Sequence, residues 1–177
     1  MNKILMALTL LLVSGSAAIA QFAPSTENLH GLTGVRLMVI LGHYPHRLEE
    51  AQKPEILKLV EADARAKLEQ AGIPFYISPS DPRRNANYAV LVITVPMDET
   101  NSSMSLTTEV KLLQKVRLAR DPSIETDAVT WTTEGGVGGP GRRDSRIREQ
   151  IGGEIDQFIR DYFSVNPKQS AAKEKSK

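Results

Sequence analysis

The 177-residue chain has no cysteine. That absence removes disulfides, thiol nucleophiles, redox motifs and thiolate metal ligands from the possible chemistries. Net charge is almost absent too: 22 Lys and Arg stand against 21 Asp and Glu, a formal +1. A general nucleic-acid binder would show a clustered basic excess instead. No G-x-S-x-G elbow occurs after residue 20, and no Ser/His/Asp set falls on a recognisable pattern. No repeat of fixed period is visible. What is present is ordinary for a globular protein, with 41% hydrophobic and 24% charged residues. The length suits one domain, large enough to bury about two thirds of its unfolded surface without staples.

Residues 1–20, MNKILMALTLLLVSGSAAIA, have the layout of a secretory signal peptide. Lys3 gives a positive start, Ile4–Val13 is apolar, and Ala18 and Ala20 occupy the −3 and −1 positions of a cleavage site. The apolar run is well short of the roughly 20 residues that cross a bilayer. With no cysteine after the site, a lipoprotein anchor is excluded. Removing residues 1–20 takes away Lys3 and leaves 21 cations against 21 anions. The expectation is a neutral protein, periplasmic or secreted, with no integral membrane segment after cleavage. The Asn101-Ser102-Ser103 sequon reads as a polar turn.

The remaining chain divides into a flexible arm at 21–33, a domain at 34–166 and a disordered tail at 167–177. Gly34–Gly42 is β-branched and apolar and predicts a buried strand. Pro54–Ala71 predicts a helix, opened by proline, stopped by Gly72, and buried along Leu57, Val60, Ala64, Leu68 and Ala71. Ile73–Ser78 is a short strand. Tyr88–Met97 is apolar on both faces and belongs at the centre of a sheet. Met104–Ala119 alternates, with Leu106, Thr108, Val110, Leu112, Val116 and Leu118 on one side and Gln114 the polar residue among them. Glu109, Lys111, Lys115 and Arg117 lie on the other side, so this segment predicts a long half-exposed strand ended by Asp121-Pro122.

Asp127–Glu134 predicts a last strand, followed by a glycine-rich loop, Gly135–Gly141. A second helix follows, capped by Asp144 or Ser145 and buried along Ile147, Ile151, Ile155, Phe158 and Tyr162. Its Gly152-Gly153 pair suggests close backbone approach to a neighbour. The fold class is α+β, a single domain ordered β-α-β-β-β-α, with a mixed, mostly antiparallel sheet and two helices on one face.

Gly136–Gly141 satisfies G-x-G-x-x-G, but the chain has no room for a closing βαβ unit and Pro140 removes a backbone donor. No cofactor is expected. The same loop with Arg142, Arg143, Arg146 and Arg148 at a helix start is a candidate anion site, whose contacts would be Gly138, Gly139, Arg142, Arg143 and Arg146. Asp144 and Glu149 lie between those arginines, as in a solvated charged rim. His43 and His46, with Glu49 and Glu50 behind them, are weak candidates for a metal site that lacks a defined third ligand. Gln114 and Trp131 read as a hydrogen-bonded amide and a packed aromatic. No catalytic residue stands out.

The segments AGIPFYIS, LQKVRLAR, TW and FIRDYFSVNP, in that order behind a signal peptide, resemble small exported bacterial proteins. The element order is also similar to the N-terminal domain of the Tol translocation protein, to the curli secretion-channel subunit and to auxiliary envelope-transport proteins. The resemblance implies a non-enzymatic α+β domain that binds other envelope proteins. An exposed edge strand is one contact surface, by strand addition, and the alternating 104–119 strand, guarded by Glu109, Lys111, Lys115 and Arg117, is the one expected to offer it. The alternative is a small-ligand or anion-binding periplasmic domain using the glycine-rich loop and arginine cluster.

Overall fold

A computed structural model describes residues 25–42, 54–77, 89–96, 106–137 and 142–167. Five strands and two helices follow a short 3-10 turn at Thr26–Leu29. They are β1 (Val35–Leu41), α1 (Glu55–Ala71), β2 (Phe75–Tyr76), β3 (Ala89–Val95), β4 (Leu106–Leu118), β5 (Asp121–Val137) and α2 (Arg143–Val165). Every strand and helix segment read from the sequence is present in that order, which written in full is β-α-β-β-β-β-α. The result is a single α+β domain built on one mixed sheet.

The sheet order is β2-β1-β3-β4-β5. β1 pairs in parallel with β2 and with β3, whereas β3-β4-β5 is an antiparallel meander. The uncharged β3 takes the central position its composition calls for. Both helices pack on one face. The sheet residues of the core cluster are of one parity on each strand: Val35, Leu37 and Leu41; Leu91, Ile93 and Val95; Val110 and Leu112; Trp131 and Val137; on the central β3, Val92 of the opposite parity is buried as well. Against them lie Leu57, Val60, Ala64 and Leu68 of α1 and Ile147, Ile151, Ile155, Phe158 and Tyr162 of α2, the two stripes seen in the sequence.

Helix α1 ends as Gly72 demands. With φ of 76°, Gly72 sits in the left-handed region, its N–H donating to Glu69 O while Ile73 N–H reaches back to Leu68 O. That paired closure delivers Ile73 into the core. Two ion pairs tie α1 to α2: Lys67 Nζ donates to both Asp156 oxygens at 2.7 Å, and Arg148 forks onto Asp63 at 2.7 and 2.9 Å.

Several expectations need correction. Residues 25–33 are not part of a loose arm, because Leu29 is fully buried in the core. Asn166 Nδ2 donates to Leu29 O, Gly31 N–H donates to Asn166 Oδ1, and Tyr162 Oη donates to Leu32 O. β5 runs over 121–137 rather than 127–134. Asp121-Pro122 does not end the pairing; it starts the return strand. Asp121 Oδ1 accepts from Ser123 N–H and Oγ, and the register skips residues 122–124, so the missing N–H of Pro122 costs no ladder bond.

At its other end β5 continues through Gly135, Gly136 and Val137, which were read as loop. Helix α2 begins at Arg143 with no side-chain cap, leaving Asp144 in the first turn and Ser145 further in. Gly152 and Gly153 mark no close approach. A Cβ on Gly152 would stand 3.5 Å from Lys67 Cε, an ordinary contact, and one on Gly153 would meet nothing.

The leader at 1–20, the His43 and His46 loop and the tail at 168–177 lie outside the described residues. Among those described, no helix is long and apolar enough to cross a membrane.

Candidate functional site

Helix α2 runs along β5 residue by residue. Glu154 meets Gly135, Gln157 Oε1 accepts from Thr133 at 3.1 Å, and Asp161 Oδ2 accepts from the Trp131 indole at 3.0 Å. Trp131 is buried and meets Phe158 edge-on at 5.3 Å, so it is core, as its sequence context suggested. Tyr162 and Phe163 continue the aromatic packing at 5.1 Å and close the core rather than form a patch.

Glu154 is the only buried acidic or basic side chain among the described residues, at 3% exposure. Its Oε1 accepts from Gln150 Nε2 at 3.1 Å and lies 2.5 Å from Thr108 Oγ1. The Thr108 hydroxyl has one proton and two oxygens in reach, the second being Gly135 O at 3.1 Å. The proton goes to Glu154 Oε1, with Gly135 O as the competing acceptor. Burial, as the largest effect, raises the Glu154 pKa; Thr108 and Gln150 oppose the rise, and Glu109 and Glu134 add to it. Its Oε2 is buried without a hydrogen-bond partner, which a neutral carboxyl tolerates better than an anion.

The seat exists because residue 135 is glycine: a Cβ there would fall 1.8 Å from Gln150 Nε2 and 2.6 Å from Glu154 Oε1. Sequence reasoning passed over Glu154. Yet it stands seven residues after Ile147, three after Ile151 and four before Phe158, squarely on the helix's buried stripe.

The anion-site residues do not converge. Gly138 and Gly139 lie outside the described residues. Arg142 and Arg143 are exposed, and Arg143 Nη2 reaches Pro96 O at 3.5 Å. Arg148 is committed to Asp63. Only Arg146 turns inward, lining a cavity of about 200 Å³ with Gly136, Val137, Glu149, Gln150 and Gly153. That volume is below the ~300 Å³ where drug-sized ligand sites begin. Glu149 also sets a carboxylate opposite the guanidinium. No group of three or more His, Asp or Glu that could hold a metal occurs among the described residues.

A second surface lies at the other end of the same strand pair. Among the described residues β3 pairs with β4 only across 109–113, and 114–118 pair only with β5, within 121–128. Between Leu112↔Trp131 and Leu113↔Val129 the register shifts, leaving Thr130 as an extra residue of β5. Thr130 Oγ1 donates to Gln114 Oε1 at 2.5 Å, satisfying the one amide on the apolar side of β4. Thr130 O accepts from Asn28 Nδ2 at 2.8 Å.

Beyond this point the hairpin is an arm with two distinct faces. Lys115↔Asp127 and Arg117↔Glu125 lie on one, joined by exposed ion pairs of 3.5 to 4.0 Å. Gln114↔Ala128 and Val116↔Thr126 lie on the other, uncharged. Ile124 and Val129 are the exposed large hydrophobics, at 44% and 51%. The alternating strand expected to offer an edge is therefore interior along 109–113, and β5 is the outer strand. The α+β class is what fold and site together define. Compared with protein-family models and with curated protein sequences, the chain matches none.

Proposed function

We propose that the protein is an exported, non-enzymatic component of the bacterial envelope that works by binding another envelope protein through the β4–β5 arm. One observation carries this reading: a two-faced strand pair extends past the sheet and exposes Ile124 and Val129. An isolated two-stranded hairpin is marginal in water, so a surface of this kind gains most from a partner. The residues 1–20 supply the export signal, and the envelope-protein resemblance supplies the class of partner.

The test uses the absence of native cysteine. Ser123→Cys places a single thiol at the arm's tip, and Glu69→Cys places one on the exposed side of α1 as control. A thiol-directed crosslinker applied to intact cells should trap one defined protein, identified by mass spectrometry, from Ser123→Cys and not from Glu69→Cys. Adding Ile124→Asp should abolish it. Equal trapping from both positions, or trapping indifferent to Ile124→Asp, refutes the reading. Mass spectrometry of the purified protein should also find Gln21 as its first residue.

The anion-binding alternative rests on the single inward guanidinium of Arg146. It requires phosphate to raise the melting temperature, and Arg142, Arg143 and Arg146 changed together to alanine to remove that rise.

A further inference from the structure

We infer that the occupant of the arm is an extended segment of the partner that adds to β5 as a sixth strand along residues 121–129, with cationic side chains at alternate positions and aliphatic ones between. This rests on the function proposed above and names the chemistry of the partner at that site.

Among the described residues β5 is the outer strand of the sheet, with no strand on its far side. Such an edge offers unpaired N–H and C=O groups to an incoming segment. The charges rank by strand across the arm. β4 contributes Lys115 and Arg117, while β5 contributes Asp121, Glu125 and Asp127 and carries no Lys or Arg over its full length. A third strand beside Glu125 and Asp127 continues the alternation of sign when it is basic. The pairs it makes across strands are favourable ones, and a like-charged strand is disfavoured by the same geometry.

A second copy pairing β5 with β5 is excluded on that ground, since acids would face acids. The opposite face specifies the intervening positions. Thr126 and Ala128 are uncharged and lie over Val116 and Gln114, so aliphatic side chains there extend the apolar strip. The limits of the site are also defined. Thr130 O, already bound by Asn28, closes one end, and the Asp121–Ser123 turn closes the other.

The experiment uses the mature chain and a fluorescein-labelled peptide of roughly nine residues alternating Lys and Val, the length of 121–129 in extended form. Controls are the Glu/Val alternating peptide and a peptide of identical Lys/Val composition arranged in two blocks. Anisotropy should show the alternating basic peptide binding about tenfold more tightly than either control. Hydrogen exchange should show new protection confined to 121–129. Glu125→Lys with Asp127→Lys should reverse the preference between basic and acidic peptides.

Equal binding of the block peptide, protection elsewhere, or indifference to the charge reversal overturns the inference. A partner trapped at Ser123→Cys whose contact region is helical or acidic also overturns it, while leaving the arm's binding role intact. No trapping at all, with the peptide bound as described, refutes the envelope function and upholds the strand-addition chemistry.

Discussion

The β4–β5 pair is one hairpin under two regimes. Along residues 106–112 and 131–137 it carries α2 on one face and β3 at its side, and Thr108, Val110, Leu112, Trp131 and Val137 are buried. Beyond the extra residue Thr130, the same two strands keep the same alternation, yet residues 121–127 are all exposed. Strand propensity is therefore not what separates base from arm. Coverage is: α2 follows β5 past Glu154, Gln157 and Asp161 and stops at Val165, one step after Trp131. Residues that would be core under a longer helix are surface here.

The largest contrast is between Trp131 and Ile124. Trp131→Ala empties a fully buried site and should cost about 3–5 kcal/mol. Ile124→Ala should stay within about 0.5 kcal/mol, as surface changes do. Urea unfolding followed by far-ultraviolet circular dichroism measures both, and comparable losses at the two positions would erase the distinction between base and arm. Next comes Gly135→Ala. The added methyl collides with Gln150 and Glu154, whose displacement also breaks the Thr108 chain, and about 1–3 kcal/mol should be lost. The atoms it meets are the ends of flexible side chains, so a smaller loss means that Gln150 and Glu154 swing aside, whereas a lifted α2 shows as faster hydrogen exchange at 150–158.

Glu154 gives the smallest effect and the most specific signature. Its folded-state pKa lies above the ordinary 4.5, so the folded protein holds a proton that the unfolded chain releases earlier. Stability from this group is complete below 4.5 and declines as pH rises from there through the raised value, then levels off. Glu154→Gln keeps the shape, supplies a neutral amide and should remove that decline, giving a flatter profile of urea midpoint against pH. A wild-type protein that gains stability on going from pH 4.5 to neutrality through this residue would contradict the upward shift.

Much of the fold was readable because its signals were periodic. The stripes of α1 and α2, the uncharged β3 and the alternating β4 each bury the residues their spacing singles out. What escaped were features decided by contacts distant in sequence. Asp121-Pro122 and Gly135-Gly136 are breakers by local rules, but the outer strand tolerates a proline without a partner and needs a glycine where α2 presses down. Leu29 looked like part of a polar arm because one apolar residue makes no period; its burial depends on Asn166 and Tyr162, more than 130 positions away. The arginine cluster was legible as charge and misleading as a site, because a helix directs Arg143, Arg146 and Arg148 to three different surroundings.

The interlock between the first turn and the last one bears on how the chain reaches its final state. Leu29, Gly31 and Leu32 are fastened by Tyr162 and Asn166, and Asn28 is fastened to Thr130. The partners of Leu29, Gly31 and Leu32 lie at residues 162 and 166, so that part of the clasp forms only once the chain has been made to its second helix's end. Until then the turn at 25–32 lacks the last turn of α2 as its anchor, so the two ends of the described chain are fastened late.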